Sequence, residues 1–263
     1  MIIELIKYLT NPNPKYIKAL GYLKESIAIE GRYNRNKYNW ENHLENTKQF
    51  ITDTVNNLSQ KRKVVILGSG SLYDVPIDLL SNSFQKVICV DIVHLRNVKR
   101  KFKKYSNVIF LQKDITGIAE KLYNNFNTMN NTLPSPRHDF SFIEKDVDLV
   151  ISLNILSQLP LNLKSFAEQN FNFSEEQILN FCNSIIKSHY QFLKRLSCEI
   201  CLIAETKREF IDKKSNIIKS NDALFGFKLE ESKTTWDWEL APTGEYSSKY
   251  SIENKIFAYN KGF

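Results

Sequence analysis

Two glycines flanking a serine, Gly68-Ser69-Gly70, follow the apolar run Val64-Val65-Ile66-Leu67, and a second apolar run, Val87-Ile88-Cys89-Val90, ends in Asp91. Glycine carries no Cβ, so the backbone at Gly68 and Gly70 can approach a ligand closely. A helix expected directly after the turn would add unpaired N–H groups at its start. A carboxylate at the tip of the next strand can accept hydrogen bonds from both hydroxyls of an adenosine ribose. Turn and acid together predict a nucleoside-cofactor site. A dinucleotide site wants a third glycine for close helix-to-strand packing, and that position holds the bulky Tyr73, which disfavours NAD.

Other residues have chemistry to offer around that centre. Asp74 can orient a cofactor ammonium or cap the following helix, and the spacing does not choose. Asn154 lies at the end of the run Val147 to Leu153, where it touches cofactor or acceptor, or is an ordinary loop asparagine. His43 and Asn154 are the candidates for a catalytic group. Arg32, Arg35, Trp40 and His43 cluster before the first strand, with Trp40 and His43 on one helical face. A cation beside an aromatic and a titratable ring can hold an anionic acceptor and take its proton, so Arg32, Trp40 and His43 are expected at the acceptor opening. The bland alternative is a tryptophan anchoring the N-terminal helices with its arginines in water. Trp236 and Trp238 alternate on a strand and face one way, as core or interface residues do, while Glu245 and Tyr246 follow a turn that can reach the site's mouth. His94 reads as a surface histidine rather than a base.

The elements that must position these groups follow from periodicity. Apolar residues recur at helical spacing over residues 2–8, 15–28 and 40–58. From Lys63 the pattern changes to continuous apolar runs at 64–67, 86–90, 108–111, 147–153 and 199–204, separated by segments long enough for crossover helices. That alternation predicts a doubly wound α/β fold, a mostly parallel Rossmann-like sheet with an N-terminal helical extension. Residues 1–60 are expected to form a helical cap and residues 61–263 the nucleoside-binding domain. Residues 124–146 read as a surface loop, Ser174 with Gln177 as a capping box opening a helix to about residue 196, residues 213–225 as a further helix, and residues 227–231, 234–240 and 255–259 as strands.

The ordered set Gly68-Ser69-Gly70, Asp91, Gln112-Lys113-Asp114-Ile115 and Asp148 to Ser157 resembles the motifs of class I S-adenosylmethionine-dependent methyltransferases over roughly residues 63–206. The resemblance implies S-adenosylmethionine as cofactor, with Gly68, Ser69 and Gly70 against its methionine and ribose, Asp91 on the ribose and Asp114 and Ile115 framing adenine; Asn154, in the fourth motif, is counted among the cofactor-binding residues. It departs from the family at Leu72, where a third glycine is usual, and at Leu67, where an acid often precedes the first glycine. Asn154-Ile155-Leu156-Ser157 is not the Asn/Asp-Pro-Pro-aromatic signature of base-amine methylation, and no Pro-Cys nucleophile for cytosine chemistry is present.

Composition narrows the partners. With 263 residues, 42% of them hydrophobic, the chain can bury one substantial core. No apolar stretch approaches a membrane span, so a soluble, cytoplasmic protein is expected. The net charge of +7 is mostly lysine, and the cluster Lys99, Arg100, Lys101, Lys103 and Lys104 reads as a solvated helix face, making nucleic acid an unlikely partner. Cys89, Cys182, Cys198 and Cys201 lie in apolar stretches and read as buried thiols; Cys198 and Cys201, three apart on a strand, face opposite ways, so no metal site is expected. The acceptor, a small molecule or a protein, is not identified by the sequence. A non-catalytic cofactor-binding or scaffold protein is the alternative reading.

Overall fold

The computed structural model describes residues 2–137, 140–230 and 234–261. Four helices come first: α1 (Ile2–Thr10), α2 (Lys15–Ala19), α3 (Tyr22–Arg35) and α4 (Lys37–Asn56). Strands and helices then alternate as β1 (Lys63–Leu67), α5 (Ile77–Ser83), β2 (Lys86–Asp91), α6 (Arg96–Lys101), β3 (Val108–Gln112), α7 (Ala119–Asn127) and β4 (Val147–Leu153). Two helices, α8 (Leu161–Asn170) and α9 (Glu175–Arg195), lead to β5 (Glu199–Asp212), followed by β6 (Ile217–Asp222), β7 (Thr234–Ala241) and β8 (Tyr250–Lys261).

All eight strands form one sheet in the order β3-β2-β1-β4-β5-β8-β7, with β6 pairing β5 off that path. The pairings among β1 to β5 are parallel, and β6, β7 and β8 join antiparallel. The fold is therefore the doubly wound α/β arrangement. Continuous apolar runs suit β1 and β4 because both sheet faces are covered. On one face Val65, Leu67, Val90 and Val150 pack with Phe181, Ile185 and Ile186 of α9. On the other, Val64, Ile66, Leu149 and Ile151 pack with Leu23 and Ile27 of α3 and Ile51 and Val55 of α4. Each fully buried aliphatic side chain contributes about 1.5–3 kcal/mol relative to exposure, so these four helical residues tie the N-terminal helices to the sheet. Helix α9 opens with the expected capping box, Ser174 Oγ accepting from Gln177 N and Ser174 N donating to Gln177 Oε1.

Strand order reverses between β1 and β4, and such a reversal leaves a crevice beyond the carboxyl ends of the strands. Gly68, Asp91 and Asn154 each lie there, at the ends of β1, β2 and β4.

Three expectations change. Residues 213–225 hold strand β6, not a helix: Asp212 Oδ1 accepts from the backbone N–H groups of Lys214 and Asn216, folding a turn that returns the chain along β5. Residues 227–230 are irregular, and the rest of the strand expected at 227–231 lies outside the described residues. The loop read at 124–146 starts later, because α7 continues to Asn127.

Candidate functional site

At the end of β1 the chain turns sharply. Gly68 has φ +79°, and a Cβ there would meet Ile155 Cβ at 2.6 Å and the Leu153 carbonyl at 2.9 Å, so only glycine fits. Gly70, at φ +47°, has nothing within 4 Å of a would-be Cβ and borders open cavity. Leu72 takes φ +60°, the left-handed backbone a glycine would adopt, while its side chain is buried. The departure from the glycine pattern therefore keeps the backbone form and costs about 1–2 kcal/mol of local strain. The expected helix start does not follow directly: residues 72–76 are irregular and α5 begins at Ile77 behind Pro76, so the turn and not a helix N-terminus faces the cavity.

Asp91 Oδ2 accepts from Gly70 N at 2.8 Å and Oδ1 from Val93 N at 3.2 Å. Each carboxylate oxygen keeps a lone pair, so the group can still receive two hydroxyls. Asp114 is differently engaged. Its Oδ1 accepts from Thr116 N (2.9 Å) and Thr116 Oγ1 (2.6 Å), and its Oδ2 from Ala119 N at the start of α7 (2.9 Å). It lines the cavity with Ile115, but its first task is to hold this loop. His94, read from sequence as a surface histidine, is buried, with Nε2 3.2 Å from the Leu111 carbonyl and its ring edge-on to Phe110.

The cavity bordered by these residues has a volume of about 530 Å³, and its lining continues past the strand tips to Trp40, Phe210, Trp238, Leu240 and Ile252, the part termed its second compartment. That size falls in the range that admits cofactor-sized ligands. Arg32, Trp40 and His43 all line it, as do Gly68, Ser69, Gly70 and Asn154. Arg32 makes an ion pair with Glu25 at 3.6 Å and lies 5.5 Å from the Tyr246 ring centre. Trp40 is buried, donates its indole N–H to the Leu240 carbonyl at 2.9 Å and meets Trp238 edge-on. Arg35 is tied to Glu245 at 2.6 Å, and neither residue lines the cavity. Tyr73 stacks on Tyr33 with centroids 3.7 Å apart.

His43 joins the two compartments. Its ring stacks on Trp238 at 4.1 Å, Nδ1 receives the Trp236 indole N–H at 3.0 Å, and Nε2 lies 3.2 Å from the Asn154 carboxamide. An indole N–H only donates, so Nδ1 is an acceptor and the proton of the neutral ring sits on Nε2. That proton needs the Asn154 oxygen. Amide orientation is fixed by such networks, and the assignment with Asn154 Nδ2 toward His43 leaves the oxygen buried without a partner. Turning the amide would satisfy His43 but would bring the oxygen to 2.9 Å from Asp74 Oδ2 and leave the Nδ2 hydrogens in the buried position where the oxygen has no partner, so one polar group of this cluster stays unmet in either orientation. Burial pushes the Asp74 carboxyl above its usual range. Burial also lowers His43 to about 3. Both nitrogens of His43 are thus engaged, Nδ1 with Trp236 and Nε2 with Asn154. Asn154 itself has φ +49°, a conformation asparagine tolerates better than most residues.

Several lining residues carried no sequence signal. Tyr22, from α3, is half-buried in the cavity wall, and its phenol is pushed well above the ordinary value, chiefly by burial and then by the nearby carboxylate of Asp114. Glu205 is buried at the end of the parallel part of β5, 2.8 Å from Arg208, with its carboxyl raised by burial. Arg208 Nε donates to Asn254 Oδ1 at 3.1 Å. Among the described residues no cluster of three or more metal-ligating side chains occurs, and no helix is long and apolar enough to cross a membrane.

No protein-family model matches the chain, and no curated protein matches its sequence. Solved structures are similar at low identity. The chain spans about half the length of the first two it matches, 51% of the YcgJ protein from Bacillus subtilis and 56% of a Haloferax volcanii chain from a complex of the Trm112 activator with a putative methyltransferase. A SAM-dependent methyltransferase from Leishmania major is 13% identical, with 92% of this chain and 82% of that one covered at a TM-score of 0.40. The 1,6-didemethyltoxoflavin-N1-methyltransferase of Burkholderia thailandensis is 9% identical, with 94% and 92% covered at a TM-score of 0.40. Likenesses at these TM-scores do not bear on what this chain binds or does.

Proposed function

We propose that the chain binds S-adenosylmethionine at the β1/β4 crevice and transfers its methyl group to an acceptor in the adjoining compartment. One observation carries the reading: a single cavity runs from the Gly68–Gly70 turn and Asp91 to the wall of Trp40, His43 and Trp238. The residues fit the cofactor. Asp91 has lone pairs for the ribose hydroxyls, Gly70 leaves the space a side chain would fill, and the buried Ser69 Oγ has no partner. Tyr22 and Ile115 would flank adenine, and Asp74 lies where it can meet the methionine ammonium. Bound there, S-adenosylmethionine supplies an electrophilic sulfonium methyl. The chain's own part is alignment: the glycine turn and Asp91 fix one reactant, and Asn154, Asp74 and His43 line the passage between the two parts of the cavity. Residues 1–60 belong to this reading as the cap that brings Tyr22, Arg32, Trp40 and His43 to the cavity.

Soaking crystals with S-adenosylhomocysteine tests it. The expected density has the ribose on Asp91 and the sulfur facing Asn154. A nucleoside elsewhere, or none in an open cavity, overturns it. A binding-only protein is the second reading, favoured by the engaged nitrogens of His43. Formation of S-adenosylhomocysteine and a methylated product from the loaded protein would exclude it.

A further inference from the structure

The floor of the second compartment is built by three antiparallel strands in register. Arg208 of β5 is the cross-strand partner of Asn254 of β8, and Asn254 is the partner of Trp238 of β7. Directly opposed residues share a sheet face with Cβ atoms about 4.5–5.5 Å apart, so these side chains form one row, and all three line the cavity. The Arg208 Nε–H can only donate, which fixes the Asn254 carboxamide with its oxygen toward Arg208 and its Nδ2 away. That Nδ2 is buried and has no partner, on a residue with 0% exposure. The Trp238 Nε1–H is buried and unpartnered as well. Buried indole N–H groups usually find an acceptor, and both other tryptophans do, Trp40 on the Leu240 carbonyl and Trp236 on His43. Arg208 spends Nε on Asn254 and Nη2 on Glu205, leaving Nη1.

Two orphaned neutral donors beside a partly used guanidinium ask for an oxygen acceptor and repel an ammonium. Leaving such donors buried and unmet costs about 1–3 kcal/mol each, a cost a ligand oxygen would relieve. Beside these donors the lining carries the aromatic rings of Trp40, Phe210 and Tyr246 and the aliphatic Leu240 and Ile252, with Arg32, His43 and Glu205 as its other polar groups. We propose that this compartment receives a planar aromatic molecule through a carbonyl or carboxylate oxygen, held by Trp238 Nε1, Asn254 Nδ2 and Arg208 Nη1. The inference rests on reading this compartment as the methyl-acceptor side, but the oxygen site itself does not depend on methyl transfer.

The three tryptophans of the chain give three indole N–H signals in a nitrogen–proton NMR correlation spectrum. They can be followed while the protein is titrated with 1-naphthoate, 1-naphthamide or 1-naphthylmethylammonium, with an S-adenosylhomocysteine titration run in parallel. The expected result is a downfield shift of the Trp238 indole proton with naphthoate or naphthamide and none with the ammonium. Tighter naphthoate identifies the carboxylate class; tighter naphthamide identifies the neutral carbonyl class. Asn254→Asp, nearly isosteric but with an acceptor in place of the Nδ2 donor, should weaken naphthoate binding more than tenfold. Trp238→Phe should weaken it about fivefold to tenfold while the other two indole signals report an intact fold. A still Trp238 signal with both oxygen probes, equal binding of the ammonium, or unchanged affinity in Asn254→Asp overturns the proposal. A shift at Trp238 without S-adenosylhomocysteine binding keeps the oxygen site and sinks the methyl-transfer reading.

Discussion

The two compartments of the cavity are built in opposite ways. The first, around Gly68, Gly70 and Asp91, sits on the tips of parallel strands, and its polar contacts are mostly local, such as Gly70 N to Asp91 and Asp114 to Thr116. The second is assembled from far-apart segments, α3 and α4 meeting β5, β7 and β8, as in Trp40 on Leu240 and His43 under Trp238. One is backbone geometry with a carboxylate. The other is side chains that exist as a site only when the sheet is complete. Damage to the first should show in nucleoside binding, and damage to the second in the acceptor and in the fold's response to pH.

The largest expected effect sharpens that contrast at the glycine turn. Gly68→Ala forces a Cβ against Ile155 and the Leu153 carbonyl at a positive φ and should cost about 3 kcal/mol or more in urea unfolding. Gly70→Ala, with open space around it, should cost only about 1 kcal/mol yet weaken nucleoside binding, since its methyl enters the cavity. Equal stability losses would contradict the account of the turn.

His43 is next. Its folded value of about 3 lies below the ordinary 6.5, so in that interval the unfolded chain binds a proton that the folded chain does not. Its contribution is complete above pH 6.5 and is lost as pH falls toward 3, at about 1.4 kcal/mol per pH unit. Unfolding free energies at pH 7 and pH 5 should differ more in wild type than in His43→Gln; identical slopes would remove the buried neutral ring from the account. Asp74 runs the other way. Its raised folded value means that stability is lost as pH rises, so Asp74→Asn should stabilise the protein at pH 8 while weakening cofactor binding, measured by melting and titration. The smallest effect is expected at the Arg35–Glu245 pair, whose arginine is largely exposed: Arg35→Ala should change stability by less than about 1 kcal/mol.

The same contrast sets what the sequence could disclose. The parallel strands announce themselves as apolar runs because both faces are buried, and the turn and the acid follow those runs directly. Strand β6 did not: Ile217 and Ile218 are exposed on an edge, so their apolar character mimicked a helix face, and the Asp212 turn that makes the hairpin is a side-chain effect without periodicity. Asp114 was legible as an acid after a strand but not as the cap its oxygens make. Trp40, His43 and Arg32 could be singled out by type, whereas Glu205, Arg208 and Asn254 are ordinary polar residues of a strand until β8 brings them together. Register between distant strands is a tertiary fact, and no local pattern encodes it.

The most direct test of the central claim is a calorimetric titration of the wild type and Asp91→Ala with S-adenosylhomocysteine, with NAD as the comparison ligand. Hydrogen bonds to a carboxylate contribute about 1.5–3 kcal/mol, so the account predicts binding to wild type, roughly ten- to a hundredfold weaker binding to Asp91→Ala, and poor binding of NAD to both. No binding of S-adenosylhomocysteine to folded wild type, equal affinity in the mutant, or tight binding of NAD would contradict it.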